Sequence, residues 1–220
     1  MLPVVLDLSR LSVVLVGNGE AALRRLHRLD EAGATHLRVY ADAPIPALAD
    51  TAGARLRRRL PTEESFADAH VAFLSGLPEP VAEEIGAAAR RARVIVNVED
   101  VTAQCDFHSP ATLRRGDLLL TVSTGGKSPG LAASLRRQLG DLFGPEWAER
   151  VDQIAARRAA WREAGASAEE IAYWTDAWIG RQGWLPRHDE PAASPTYAAA
   201  SPWNDQSTDN LEVKHVATSR

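Results

Sequence analysis

Ser12-Val-Val-Leu-Val-Gly-Asn-Gly-Glu-Ala-Ala22 is the stretch on which the reading of the fold turns. Val13 to Val16 form a continuous apolar run of β-branched character, the pattern of a parallel strand buried on both faces. The run ends at Gly17-Asn18-Gly19. Ala22, Leu26 and Leu29 then recur on one helical face until Gly33, where glycine can take the left-handed conformation that closes a helix. A second strand over Leu37–Tyr40 delivers Asp42. Strand, glycine turn, helix, strand and acidic residue in this order make the G-x-G-x-x-A form of the dinucleotide-binding fingerprint. Gly17 permits the tight turn, Gly19 lets the backbone approach a pyrophosphate, and Ala22 is small enough for close packing of helix on strand. The helix N-terminus offers free N–H groups to the phosphates. Asp42 would accept from ribose hydroxyls and repel a 2′-phosphate, so NAD is expected rather than NADP. A glycine-rich turn holding no nucleotide is the competing reading.

The alternation continues outward. Arg55–Leu60 suits a short strand, His70–Ser75 another, Glu79–Arg91 a helix and Val94–Val98 a further buried strand. The expected class is α/β, a Rossmann-like NAD-binding domain whose parallel sheet binds ligands at the carboxyl ends of its strands. Ser75, Gly76, Asp100 and the Gly17 turn would share that edge. Past Pro110, Leu118–Ser123 reads as a strand and Gly125-Gly126 as a loop. Ser128-Pro129 reads as an N-cap followed by proline at the first helical position. The helix that follows carries Leu131, Leu135, Leu139 and Leu142 in a stripe that needs a partner. Another helix from Pro145 presents Trp147, Val151 and Ile154, and Ser167-Ala-Glu-Glu170 has capping-box spacing before Ile171, Trp174 and Trp178. Trp147, Trp161, Trp174 and Trp178 are read as helix-packing core. From Pro186 the composition loses all periodicity, and residues 186–220 are expected to be a disordered tail.

Composition sets limits. A chain of 220 residues, 45% hydrophobic, has enough apolar side chain for a core without disulfides, and its one cysteine, Cys105, cannot form an internal bridge. A formal charge of −4 gives no reason to expect nucleic acid. Asp7, Ser9 and Arg10 interrupt Leu2–Leu15, so neither a signal peptide nor a membrane span is expected, and the cytoplasm is the default. Arg55, Arg57, Arg58 and Arg59 read as a solvated face. Arg114, Arg115, Lys127, Arg136 and Arg137 gather around the second glycine motif, where they could receive an anion. Asp100 follows an apolar strand and, taken by itself, is as well a turn cap as a base. His108 could bind a metal ion or shuttle a proton, although a lone histidine is more often structural. Cys105 reads as a packed thiol. No cluster of metal-ligating residues has ligand spacing, so no permanent metal site is expected, with His108 the one candidate.

Several motifs together carry a family resemblance. The opening Leu2-Pro-Val-Val-Leu-Asp-Leu8, the Gly17-Asn-Gly19 turn, Val96-Asn-Val-Glu-Asp100, Cys105-Asp-Phe-His-Ser-Pro-Ala111, Arg114-Arg-Gly-Asp-Leu118 and Val122-Ser-Thr-Gly-Gly-Lys-Ser-Pro129 resemble the precorrin-2 dehydrogenase family. That family includes the N-terminal module of siroheme synthases and stand-alone dehydrogenase/ferrochelatases. The likeness runs in order over roughly residues 2–145. It implies NAD-dependent oxidation of precorrin-2 to sirohydrochlorin and, in many members, insertion of ferrous iron as a substrate to give siroheme. It also implies a homodimer, the segment after the Rossmann domain exchanging contacts between subunits. The expected organisation is therefore a NAD-binding domain over 1–112, a dimerisation segment over 113–145 and a small helical domain over 146–185. By resemblance Asp100 is the family's essential carboxylate, and burial against a macrocycle face would raise such a group's pKa. Gly17, Asn18, Gly19, Glu20, Ala21, Asp42 and Ala43 fall at NAD-contacting positions. Thr124 falls at a serine position of the substrate pocket that is phosphorylated in some members. Gly125, Gly126, Lys127 and Arg114 are the remaining expected contacts to the tetrapyrrole. One departure stands out. Many members carry an Ala-Thr-Asp type sequence after the fourth strand, whereas this chain has Leu74-Ser-Gly-Leu77, which leaves Ser75 as the substitute cofactor contact. Two rivals remain open: an NAD-dependent oxidoreductase for another substrate, and a non-catalytic NAD-binding sensor.

Overall fold

The computed structural model describes residues 1–185; the tail expected from 186 lies outside them. Strands β1 (Ser12–Gly17), β2 (His36–Tyr40), β3 (Leu56–Arg57), β4 (Val71–Ser75) and β5 (Ile95–Val98) form one parallel sheet in the order β3-β2-β1-β4-β5. Helices α1 (Gly19–Glu31), α2 (Pro46–Ala52) and α3 (Glu79–Arg91) connect them. The order reverses beside β1, so the crevice for a ligand opens at the carboxyl ends of β1 and β4.

The apolar run of β1 is buried because both faces of the sheet are covered. Val13, Leu15 and Phe73 pack with Ala22, Leu26 and Leu29 of α1, while Val14, Val16, Leu74 and Val96 pack with Ala82, Ile85 and Ala89 of α3. Gly33 takes φ +77° just after α1, and Ala34 N–H donates to Leu29 O at 3.0 Å, which closes the helix as its sequence predicts.

One strand is shorter than expected. Extended structure covers Leu56–Arg57 rather than Arg55–Leu60. Arg55 folds back to donate to the Asp30 carboxylate and to the carbonyl oxygens of Thr51 and Ala52, and a tight bond from Arg59 N–H to Arg57 O ends the strand. Arg55 is thus engaged rather than solvated, while Arg57, Arg58 and Arg59 are exposed.

The free edge of β5 is closed by the Cys105-Asp106 segment, through both backbone and side-chain bonds. Asp106 N–H donates to Val96 O while the Asp106 carboxylate accepts from Val96 N–H, both at 2.8 Å. The Cys105 thiol accepts from Val98 N–H at 3.2 Å and donates to Val98 O at 3.1 Å. Arg90 of α3 holds this strap through the Asp106 carboxylate at 3.1 Å and through Gln104 O. Cys105 is therefore a packed, hydrogen-bonded thiol, and an edge open to pairing with another chain is covered.

β6 (Ala111–Arg115) and β7 (Leu118–Val122) form a hairpin turning at Gly116, φ +55°, and β6 was not anticipated. Helix α4 (Pro129–Leu142) starts as its sequence predicts, the Ser128 hydroxyl accepting from Leu131 N–H at 3.3 Å. Its leucine stripe lies open: Leu131, Leu135 and Leu142 are 51%, 37% and 72% exposed.

The chain divides into two compact units. One holds Met1–Arg114 and Leu119–Gly144, and the other holds Arg115–Leu118 and the chain from Pro145. In the second, α5 (Trp147–Glu163) and α6 (Ala168–Gln182) pack through tryptophan, with Trp161 edge-on to Trp174 at 5.7 Å and Trp178 edge-on to Trp184 at 4.9 Å. Both bonds of the Ser167–Glu170 capping box form. Among the described residues no helix is long and apolar enough to cross a membrane.

Candidate functional site

The carboxyl edge of the sheet brings the first set of expected residues together. Gly17 ends β1, Ser75 ends β4 directly beside it in the ladder, Asp42 and Ala43 follow β2, and Asp100 follows β5. The backbones close tightly here. A Cβ on Gly17 would overlap the carbonyl oxygen of Ser75, and one on Gly76 would overlap that of Asn18.

Asn18 organises the edge. It is the N-cap of α1, yet its side chain does not cap the helix. Its Nδ2 donates instead to Asp42 Oδ1 at 2.7 Å, and its Oδ1 accepts from Ala43 N–H at 3.2 Å. Two consequences follow. The first-turn N–H groups at Gly19, Glu20 and Ala21 keep no side-chain acceptor from the cap, which leaves them for an anion. Asp42 is oriented, and the hydrogen bond from Asn18 is the main cause that lowers its pKa below the model-peptide 3.8. Oδ1 of Asp42 is committed to Asn18. Beneath the same turn Ser75 is buried, and its Oγ has no hydrogen-bond partner among the described residues. A glycine that admits no side chain, an uncapped helix start, an oriented carboxylate and an orphaned hydroxyl together fit a dinucleotide.

The second set of residues converges on Asp100. Val101 N–H bonds Val98 O at 3.4 Å, so Glu99 and Asp100 are the central residues of a turn. Asp100 sits at φ +64°, where L-residues are rare and asparagine, aspartate and glycine are favoured. Its carboxylate is exposed, so any desolvation of it must come from a ligand laid over the edge. The Gly125-Gly126 loop approaches the chain just past this turn: a Cβ on Gly126 would stand 3.4 Å from Thr102 Cγ2. Gly125 and Gly126 have φ +61° and +82°, which L side chains seldom adopt. Thr124 O accepts from Lys127 N–H and Thr124 Oγ1 accepts from Ser128 N–H at 3.0 Å, so the threonine hydroxyl props the loop while keeping its own proton to donate. Lys127 is exposed at the loop, and Arg114 lies on the exposed side of β6.

His108 lies in a fixed backbone frame. Asn97 Nδ2 donates to Phe107 O at 2.9 Å on one side, and Arg25 donates to Ser109 Oγ at 3.1 Å on the other. Among the described residues no three His, Cys, Asp or Glu side chains cluster as metal ligands would. Asn97, Asp106, Arg25 and Glu99 were not singled out from sequence. For Arg25 a signal existed, since it shares the helical stripe of Ala22, Leu26 and Leu29.

Residues 4–111 match the family described as Putative NAD(P)-binding, and residues 115–142 match the one described as Sirohaem biosynthesis protein central. The two run in tandem over more than half of the chain. Over this region the chain is similar to siroheme synthases. The siroheme synthase of Methylococcus capsulatus is 38% identical over 140 residues, 63% of this chain and 30% of the relative. That of Thiobacillus denitrificans is 35% identical over 184 residues, 81% of this chain and 38% of the relative. The chain thus spans about a third of the length of such curated relatives. A solved structure named SirC, precorrin-2 dehydrogenase, superposes with a TM-score of 0.68 at 23% identity, covering 84% of this chain and 93% of that one. It shares the fold described above, Rossmann-like sheet and helical C-terminal part.

Proposed function

We propose that the chain oxidises precorrin-2 to sirohydrochlorin with NAD as the acceptor. The observation that carries this reading is the placement of Asp100 on a left-handed turn at the same sheet edge as the Gly17–Asn18–Asp42 cofactor cradle, next to the Gly125-Gly126 loop. The names of the siroheme synthase relatives support the same substrate class.

The oxidation removes one hydride and one proton from the macrocycle. Bound in the cradle, NAD would supply the hydride acceptor. The Gly19–Ala21 N–H groups would hold its pyrophosphate, Asp42 its ribose, and Ser75 Oγ a polar atom brought to the turn. The charge of Asp42 disfavours a 2′-phosphate, hence NAD over NADP. Asp100 takes the proton as general base, from a position at which a flat apolar ligand would cover it. Gly125 and Gly126 admit the macrocycle to within backbone distance, and the Thr124 hydroxyl offers it a donor. Lys127 and Arg114 meet its carboxylate side chains. The same carboxylate of Asp100 can accept pyrrole N–H protons if ferrous iron is inserted as a second substrate, with His108 as a candidate relay. The open leucine stripe of α4 supports a homodimer that buries it. Dependence on free NAD is consistent with the cytoplasm as the compartment of the reaction.

The test is anaerobic turnover of precorrin-2 with NAD, in parallel with sirohydrochlorin plus ferrous iron. Loss of the first reaction in Asp100→Asn with NAD binding retained supports the reading. NAD binding without turnover by the unaltered protein would favour a sensor or another substrate.

A further inference from the structure

Arg25 has no part in the chemistry above, yet a core tolerates such a residue only for a reason. It is 7% exposed and lies on the buried stripe of α1. Its guanidinium covers the Phe73 ring at 5.2 Å, Nη1 donates to Ser109 Oγ at 3.1 Å, and Phe73 meets Phe107 edge-on at 5.4 Å. Among the described residues Arg25 Nε has no hydrogen-bond partner. Burial lowers the pKa of this guanidinium. A buried cation with neutral partners alone is costly, so an anion is required nearby.

Strand geometry puts Glu99 on the same face as Arg25 and makes it the candidate. Phe73 pairs with Asn97 across the β4–β5 ladder, and side chains alternate along a strand, so Asn97 and Glu99 emerge on the face that α1 covers. Asn97 is found there, bonded to Phe107 O. Glu99 Oε2 is buried and, among the described residues, has no hydrogen-bond partner. Of the charges around Arg25, that of Glu99 does most to keep it protonated; Cys105 and Asp100 act the same way, and Arg28 opposes. Glu99 and Asp100 share one turn, Glu99 half-buried and Asp100 exposed.

We propose that Arg25 is a positioning residue for Asp100: its guanidinium, seated between Phe73 and Ser109 and making no direct ion pair with Glu99, draws the Glu99 carboxylate inward by charge across the buried gap and so holds the turn with Asp100 presented on the sheet edge. The catalytic consequence rests on the dehydrogenase reading; the anchoring does not.

Arg25→Met, Glu99→Gln, the double variant and Arg25→Lys separate the two. Each neutralising single variant is expected to lower Tm by about 5–10 °C, and the double variant by less than either, because no unpaired charge is left behind. The Val101 amide, which closes the turn, should exchange at least about tenfold faster in Arg25→Met and return to within about threefold of the unaltered rate in Arg25→Lys. With precorrin-2, kcat should fall at least about tenfold in Arg25→Met while KM for NAD stays within about twofold, and Arg25→Lys should regain most of it. Additive losses of Tm, an unchanged Val101 amide, or an unchanged kcat each overturn the proposal. If the unaltered protein does not turn over precorrin-2, the dehydrogenase reading fails, and the Tm and exchange results alone decide the proposal.

Discussion

Asp100 pays a conformational cost at φ +64° that glycine would not. Asp100→Gly should raise stability by up to about 1 kcal/mol, read by denaturant unfolding, while abolishing turnover. A residue kept only as a turn cap would lose stability on the same change. Asn18 makes a second residue-scale claim. Its bond holds the Asp42 carboxyl below the usual 3.8, so Asp42 keeps its charge to lower pH than it would without Asn18. A lowered folded pKa means that the contribution is complete above the unfolded value and is lost only as pH falls through the folded one. In Asn18→Ala the Asp42 midpoint should move up toward 3.8, followed by carboxyl NMR, and the affinity for NAD should drop by about tenfold even at neutral pH if Asp42 is the ribose acceptor proposed above, because it is no longer oriented.

Among the elements, the two ends of the sheet depend on single residues. At β1, Gly17→Ala must displace the Ser75 carbonyl, and a loss of at least about 2 kcal/mol with loss of NAD binding is expected by unfolding and titration. At β5, Asp106→Ala strands the Val96 N–H. A loss of about 1–3 kcal/mol is expected, with faster exchange of the Val96 amide. These elements also show what the sequence makes legible. β1, α1, α3 and α4 follow local rules, a both-sides-buried run, a glycine stop, a helical stripe and a Ser-Pro start, and each forms where its residues say. β3 was read too long because Arg55 is drawn away by Asp30, a partner 25 residues distant. β6 was missed because its alternation is half polar and follows Pro110. The strap of Cys105 and Asp106 combines one backbone bond with side-chain bonds, which no periodicity announces.

At the scale of the whole molecule, the leucine stripe of α4 predicts association. Leu131→Asp with Leu135→Asp should convert a dimer to a monomer in sedimentation at micromolar concentration, with the fold retained, since both side chains are already exposed in the single chain. The cofactor half of the site was legible because its fingerprint is contiguous in sequence. The Asp100 half was legible only through resemblance, since the turn and the Gly125-Gly126 loop are brought together by the fold rather than by spacing. Glu99 is illegible because a charged residue at a strand end reads as solvated until burial is known, and Arg25 is marked in the sequence only by its place on the apolar stripe of α1. The most direct measurement is the anaerobic conversion of precorrin-2 with NAD by the purified chain, followed as sirohydrochlorin absorbance, beside Asp100→Asn. Turnover by the unaltered chain, lost in the variant while NAD still binds, is the result expected here. Equal turnover by both proteins, or none by either, would contradict the account.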